Sequence, residues 1–386
     1  MKTKLSLLAL AALTAATVNA QTQGVSKTEI VVGSIQDLSG PLAPFGKQAR
    51  NGMQLRVEEL NEQGGIHGRK IVLKIEDSGY DPRRAVLAAQ KMVNQDKIFI
   101  MAGHIGTAQN MAAMPIQFEK GVINFWPLTA AREMYEPLHK LKYSFAVPYY
   151  EQIRVMLPRI AKEKSSQKVC VHYQDDDFGL EVLKGAEAAT QAMGVQIVEK
   201  TSFKRGATEF SSQVAKLKSS GCDMVVMGTL IRETIGTMGE SRKTGFNPTF
   251  LATSGAYTDL IHRLGPKFTD GLYAAMTTQH PYLDDASQPV RFWATKYRTK
   301  FNEDPTVFSA YGYVIMDGFI RGAQKAGPNL TTDSFIKAMD SMTIPADIFG
   351  SPESSFSATK RLGSSAVRLS QIQDGRWRVV ADYPKR

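Results

Sequence analysis

The chain has 386 residues and a formal charge of +10, with 43% hydrophobic and 22% charged residues. That is ordinary globular composition, and the length exceeds one comfortable core, so two domains are expected. The basic residues fall in small scattered groups such as Arg83-Arg84, Lys216 with Lys218 and Arg242-Lys243. Nucleic-acid binding would want a clustered stripe, so a solvated basic surface is expected and a nucleic-acid partner is not.

Residues 1–20 read as an export signal. Lys2 and Lys4 form a positive start, an apolar run follows over 5–18, and Val18-Asn19-Ala20 gives the small-x-small pattern that precedes a cleavage site. Cleavage after Ala20 would leave Gln21 first. The apolar run is too short to span a bilayer comfortably, and no later stretch approaches a span. No cysteine follows the run, so an acyl anchor is not expected and the chain should be free in the periplasm.

Strand and helix patterns then alternate. Residues 29–35 form an apolar strand, and 48–61 carry Met53, Val57 and Leu60 on one helical face, ending at Gly64-Gly65. Residues 70–76 are the next strand. Asp81-Pro82 opens a helix with Val86, Ala89 and Val93 on one face, and 98–102 is a short buried strand. This β-α-β-α-β order implies a parallel sheet with helices on both faces. The same grammar restarts after Pro148: a strand at 169–173, a helix from Gly179, a strand at 195–201, a helix marked by Phe210, Val214 and Leu217, and a strand at 224–227. Helices follow over 290–302 and 309–326, and 366–372 with 377–380 read as a hairpin around Asp374-Gly375. Cys170 and Cys222 lie in or beside the strands at 168–173 and 223–228. Two buried thiols are the expectation, with a disulfide as the alternative that export permits.

Several motifs, in order and at consistent spacing, resemble one family from about Thr28 to the C-terminus. They are Asp37-Leu38-Ser39-Gly40-Pro41 with Phe45-Gly46, Asn61 with Gly64-Gly65 and Gly68-Arg69, Ile75-Glu76-Asp77, Asp81-Pro82, Gly103-His104-Ile105-Gly106-Thr107, and Asp176-Asp177-Phe178-Gly179. Together they are similar to the type I periplasmic substrate-binding proteins of branched-chain amino acid transport. The resemblance implies an α/β fold: two Rossmann-like doubly wound lobes joined by three hinge crossovers, with ligand bound in the cleft between them. The expected division is a signal peptide at 1–20, an N-terminal lobe from 21–146 plus 279–350, and a C-terminal lobe from 147–278 plus 351–386. The crossings are placed near 145–148, 277–280 and 349–354.

The resemblance also implies the site. Thr107 falls where the family has a serine that grips a ligand carboxylate, and Leu128, Thr129 and Ala130 lie on the second contact loop. There the family commonly places threonine where this chain has Ala130. Ser254 falls where amino-acid binders of the family place the glutamate that meets the ammonium. An ammonium buried without a carboxylate costs several kcal/mol, roughly enough to abolish binding. Phe45, Phe178 and Tyr311 lie at or near side-chain contacts, Trp126 leads into the second loop, and Tyr149-Tyr150 follow the first hinge. Each aromatic alone could equally be core. Together they suit a flat apolar ligand carrying one carboxylate. His104 could donate to that ligand or be satisfied within its loop. Glu233 is the nearest other carboxylate, and Arg232 reads as a solvated helix-start residue.

No G-x-S-x-G elbow, H-E-x-x-H, P-loop or G-x-G-x-x-G helix opening is present, and the six histidines are widely spaced. No enzyme activity, cofactor or metal is expected, and Asp175-Asp176-Asp177 reads as a loop cap. The expected role is that of a monomeric solute-binding component serving an inner-membrane ABC permease, with a small carboxylate-bearing ligand. The alternatives are branched-chain or other amino acids or amides as ligand, or a sensor that presents its ligand to a membrane receptor.

Overall fold

The computed structural model describes residues 22–382. The export signal lies outside the described residues. The first unit runs β1 (Glu29–Gln36), α1 (Ala43–Glu62), β2 (Lys70–Asp77), α2 (Pro82–Asn94), β3 (Ile100–Ala102), α3 (Thr107–Glu119), β4 (Ile123–Phe125) and β5 (Lys142–Tyr143). The second runs α4 (Tyr149–Lys164), β6 (Val169–Gln174), α5 (Asp177–Met193), β7 (Glu199–Phe203), α6 (Ser211–Ser219), β8 (Met224–Gly228), α7 (Ile231–Lys243), β9 (Thr249–Ala252), α8 (Asp259–Leu264) and β10 (Tyr273–Met276). The chain then forms α9 (Gln288–Phe301), α10 (Val307–Ala326), α11 (Thr332–Met339), β11 (Thr343–Ile344), β12 (Ser354–Ser355), β13 (Arg368–Gln373) and β14 (Arg376–Ala381).

Two large sheets result, the α/β architecture expected of two lobes. The first is five-stranded and parallel, in the order β2-β1-β3-β4-β5. The second is seven-stranded, in the order β14-β13-β10-β9-β8-β6-β7. In it β6 to β10 run parallel and the terminal hairpin adds antiparallel. Asp374 and Gly375 both adopt positive φ, the turn that matches strand twist in a two-residue hairpin.

The motifs have local physical reasons. Asp81 caps α2 by accepting from Arg83 N–H at 2.8 Å and Arg84 N–H at 3.1 Å. Asp176 caps α5 by accepting from Phe178 N–H at 3.1 Å and Gly179 N–H at 3.3 Å. The Asn61 amide pairs with both backbone groups of Ile71, tying the end of α1 to β2. The missing side chain of Gly312 lets α10 lie directly on α1: a Cβ there would stand 2.0 Å from the Ala49 carbonyl oxygen.

Three differences from the sequence expectations stand out. Cys170 and Cys222 form a disulfide, not two buried thiols. β6 and β8 are hydrogen-bonded neighbours, which brings the two Cα atoms to 5.9 Å, within bonding range. The strand expected at 195–201 begins later, at Glu199, because Gly194 ends α5 in the left-handed region and the chain then travels to the sheet edge. The third passage between sheets also comes later than 349–354. Phe356 is buried against Trp126 and Tyr143, and Ser144 exchanges backbone hydrogen bonds with Arg361 and Gly363, so the chain leaves the first sheet only after Gly363.

Removing the disulfide tests its contribution. It closes a loop of 52 residues, worth about 4 kcal/mol in the chain-entropy account. The double substitution Cys170→Ala with Cys222→Ala should lower the urea midpoint accordingly; an unchanged midpoint would contradict the bond.

Candidate functional site

In an open parallel sheet, ligands gather beyond the strand C-termini where the strand order reverses. In the first sheet that point lies between β1 and β3, and in the second between β6 and β8. The segments that follow these strands meet. Leu42 and Phe45 follow β1, Tyr80 follows β2, Ile105 to Thr107 follow β3, and Leu128 and Thr129 follow β4. Facing them are Tyr149 at the start of α4, Phe178 after β6, Leu230 after β8 and Gly255 after β9. Phe308 of α10 completes the wall. The cavity between these segments measures about 30 Å³, room for little more than water.

On the side of the first sheet, carboxylates hold the loops. The Asp37 carboxylate is fully buried and accepts from Gly40 N–H at 2.5 Å and Leu42 N–H at 2.7 Å, fixing the turn that presents Phe45. Asp77 accepts from Leu38 N–H and Gly79 N–H, both at 2.8 Å, and from the Ser39 hydroxyl. Desolvation pushes its carboxyl up, but these donors and Arg84 outweigh it and bring the pKa down to about 2. Phe45 stacks on Phe308 with centroids 3.6 Å apart, and Tyr149 meets Phe178 edge-on at 4.9 Å. Burial pushes the hydroxyls of Tyr80 and Tyr149 upward, so both remain protonated donors near neutrality.

The polar centre is a hydroxyl pair. Thr107 Oγ1 lies 2.6 Å from Thr129 Oγ1, and whichever donates, the acceptor keeps a proton to offer. Thr107 opens α3, whose N-terminus carries no side-chain cap. Its first backbone N–H groups therefore lack intrahelical partners and favour an anion. Gly106 sits at φ 95°, and a Cβ there would stand 2.1 Å from Gln109 Oε1.

Of the residues expected in the site, Phe45, Thr107, Leu128, Thr129 and Phe178 line this cavity. Four do not. His104 is wholly buried, its carbonyl accepts from Leu128 N–H at 2.9 Å, and neither ring nitrogen has a partner. Burial alone pushes its pKa down to about 3, so the ring is neutral. Ala130 stands behind the loop, its carbonyl accepting from Tyr149 N–H at 2.7 Å. Ser254 is engaged by Gln152: the amide oxygen accepts from Ser254 N–H at 2.8 Å and the amide nitrogen donates to its hydroxyl at 3.0 Å. Tyr311 packs edge-on against Phe308 at 5.6 Å and Phe145 at 5.8 Å, one layer back. Sequence reasoning missed Tyr80, Leu230 and Phe308. Phe308 lies three residues before Tyr311 on the same helix, so helical spacing could have found it.

Two charged contacts join the lobes beside the cavity. Arg132, between β4 and β5, forks onto the buried Glu181 of α5 at 2.9 and 2.8 Å and lies over the Tyr150 ring at 4.1 Å. Arg205, after β7, pairs with Asp176 at 2.7 Å and lies over the Tyr80 ring at 5.0 Å.

Two doubly wound lobes with a cavity between their strand C-termini are the build of a solute-binding protein. The chain matches the model of the periplasmic binding protein family over residues 29–376, and it belongs to that family. These are substrate-binding proteins of the periplasm rather than enzymes. Among relatives, the Leu/Ile/Val-binding protein homolog 7 of Brucella suis is 25% identical over 292 residues, covering 72% of this chain and 73% of that protein. Among solved structures, the fatty acid ABC transporter substrate-binding protein of Thermomonospora curvata aligns with a TM-score of 0.85 at 21% identity, covering 94% of each chain. The branched-chain amino acid transporter substrate-binding protein of Streptococcus pneumoniae, solved with isoleucine, aligns at 0.80 and 20% identity, covering 93% of this chain and all of that one.

The Arg132–Glu181 pair should clasp the closed form. Burial pushes the Glu181 carboxyl up, but Arg132 outweighs it and holds the pKa below its usual value. A depressed carboxylate contributes fully above its ordinary range and loses that contribution as pH falls through the lowered value. Glu181→Gln should weaken closure by about 2 kcal/mol at neutral pH. A donor–acceptor dye pair across the lobes should then report a longer mean distance; an unchanged distance would remove the clasp.

Proposed function

We propose that this protein is the solute-binding component of an ABC importer, that it captures a small apolar molecule bearing one carboxylate by hinge closure, and that it works as a monomer. The observation that carries the ligand class is that none of the residues lining the interlobe cavity bears a charge. A carboxylate finds the Thr107–Thr129 hydroxyls and the uncapped α3 N-terminus. An ammonium finds no carboxylate in the lining: a serine tied to Gln152 stands at position 254, and the buried Glu233 lines only a small adjoining pocket beyond Leu42, Tyr80 and Leu230. Burying it unpaired costs several kcal/mol in order of magnitude. The aromatic pairs Phe45–Phe308 and Tyr149–Phe178 supply flat apolar walls.

A ligand that binds only the folded state raises stability. A thermal-shift screen of the exported form should therefore give its largest shifts with simple carboxylates such as benzoate. Thr107→Val should weaken such a ligand by about 1–3 kcal/mol. Strong shifts from leucine or isoleucine with none from the acids would overturn the ligand class, and an unaltered affinity in the variant would remove Thr107 from the site. The exported protein is further expected to begin at Gln21, which N-terminal sequencing checks; a start at Met1 would contradict a cleaved signal.

A further inference from the structure

A second cavity, of about 300 Å³, lies away from the interlobe site. One wall is the outer side of α10, with Tyr313, Val314 and Asp317. A second is Phe145, in the first passage between lobes, and a third is Thr278, in the second passage. The roof is the strap between β11 and β12, including Ala346 and Phe349. The strap is pinned down: Gln279 N–H donates to the Phe349 carbonyl at 2.8 Å, the hydroxyls of Thr278 and Ser351 lie 2.8 Å apart, and the Arg368 guanidinium donates to the Gly350 carbonyl.

Size and chemistry both favour a ligand. The volume is at the lower end of small-molecule pockets, and about ten times that of the interlobe cavity. Trp126, Phe145, Tyr313 and Phe349 put aromatic rings on several sides of the space, and they are braced: Trp126 stacks on Phe145 at 5.3 Å, and Trp293, outside the lining, meets Phe349 edge-on at 4.7 Å from behind. The charged groups around the space are already satisfied. Asp317 takes Arg56 at 2.9 Å and Arg321 at 2.6 Å. The Asp347 carboxylate accepts from Phe349 N–H at 2.8 Å and Ser351 N–H at 3.0 Å. An anionic ligand would have to draw Arg321 or Arg56 from Asp317, and a cationic one would have to compete with the N–H groups that Asp347 holds, whereas an uncharged one only removes apolar surface from water.

We propose that the cavity beneath the β11–β12 strap is a second binding site, for a small uncharged aromatic molecule. Its occupant rests against two of the chain's passages between lobes, so it touches the hinge without entering the interlobe cleft.

The test uses acetophenone as probe and the indole N–H signals of Trp126 and Trp293 as reporters, in ¹⁵N-labelled protein whose three tryptophan signals are assigned with Trp126→Phe and Trp293→Phe. Trp126 lines the cavity and Trp293 backs the lining ring of Phe349, so an aromatic occupant moves the Trp126 resonance directly and the Trp293 resonance through Phe349. Saturable shifts are expected, with at least tenfold weaker binding in Val314→Phe and in Ala346→Trp, which fill the space from two different walls. Two variants are used so that misfolding of one, seen by circular dichroism, leaves the other to decide. Absence of shifts in the parent protein overturns the proposal. So do shifts that survive filling in a folded variant, which would place the probe elsewhere. Benzoate moving these two signals at lower concentration than acetophenone would overturn the uncharged class, without bearing on carboxylate binding between the lobes.

Discussion

Parallel strands all deliver their C-termini to the same edge of a sheet, and a sheet whose order reverses opens a crevice at that edge. This chain builds two such sheets, with reversals at β1/β3 and β6/β8, and sets those edges face to face. The rest of the site depends on that arrangement. Leu42, Phe45 and Thr107 reach the cavity from one sheet, and Phe178 and Leu230 reach it from the other, because each lies on the segment that follows a strand's C-terminus. The buried carboxylate of Asp37 and the partly buried ones of Asp77 and Asp176 then hold the loops by accepting backbone N–H groups, so the aromatic side chains are presented from fixed turns.

Charge is used at the rim and withheld from the centre. Arg132 with Glu181 and Arg205 with Tyr80 span the lobes, where water still reaches part of each arginine. Inside, the polar groups are hydroxyls and backbone N–H groups. Such a centre recognises by hydrogen bonding and discriminates by what it lacks: a group that needs a counter-charge is left unpaired. The fold makes no such choice. Structures that align with this chain include a fatty acid transporter's binding protein and one solved with isoleucine, so the ligand class rests on particular side chains.

Much of the fold was legible because its signals are local. Helical faces such as Met53, Val57 and Leu60, the Asp81 and Asp176 caps, and the Asp374-Gly375 turn all act within a few residues. What escaped depends on neighbours distant in sequence. The Cys170–Cys222 bond needs β6 beside β8, and the late third passage needs Phe356 to find Trp126 and Tyr143. The site divided along the same line. Thr107, Phe45 and Phe178 follow from motifs at strand ends, whereas the position of Ser254 is decided by Gln152 on another element, and His104 points its backbone rather than its ring to useful work.

The claim that the centre takes a carboxylate and refuses an ammonium can be put to one matched pair. Titration calorimetry with 3-phenylpropanoate and with phenylalanine compares two ligands that differ only in the α-ammonium. The account predicts saturable one-to-one binding of 3-phenylpropanoate and at least a hundredfold weaker binding of phenylalanine, the equivalent of roughly 3 kcal/mol. Equal or tighter binding of phenylalanine would contradict it.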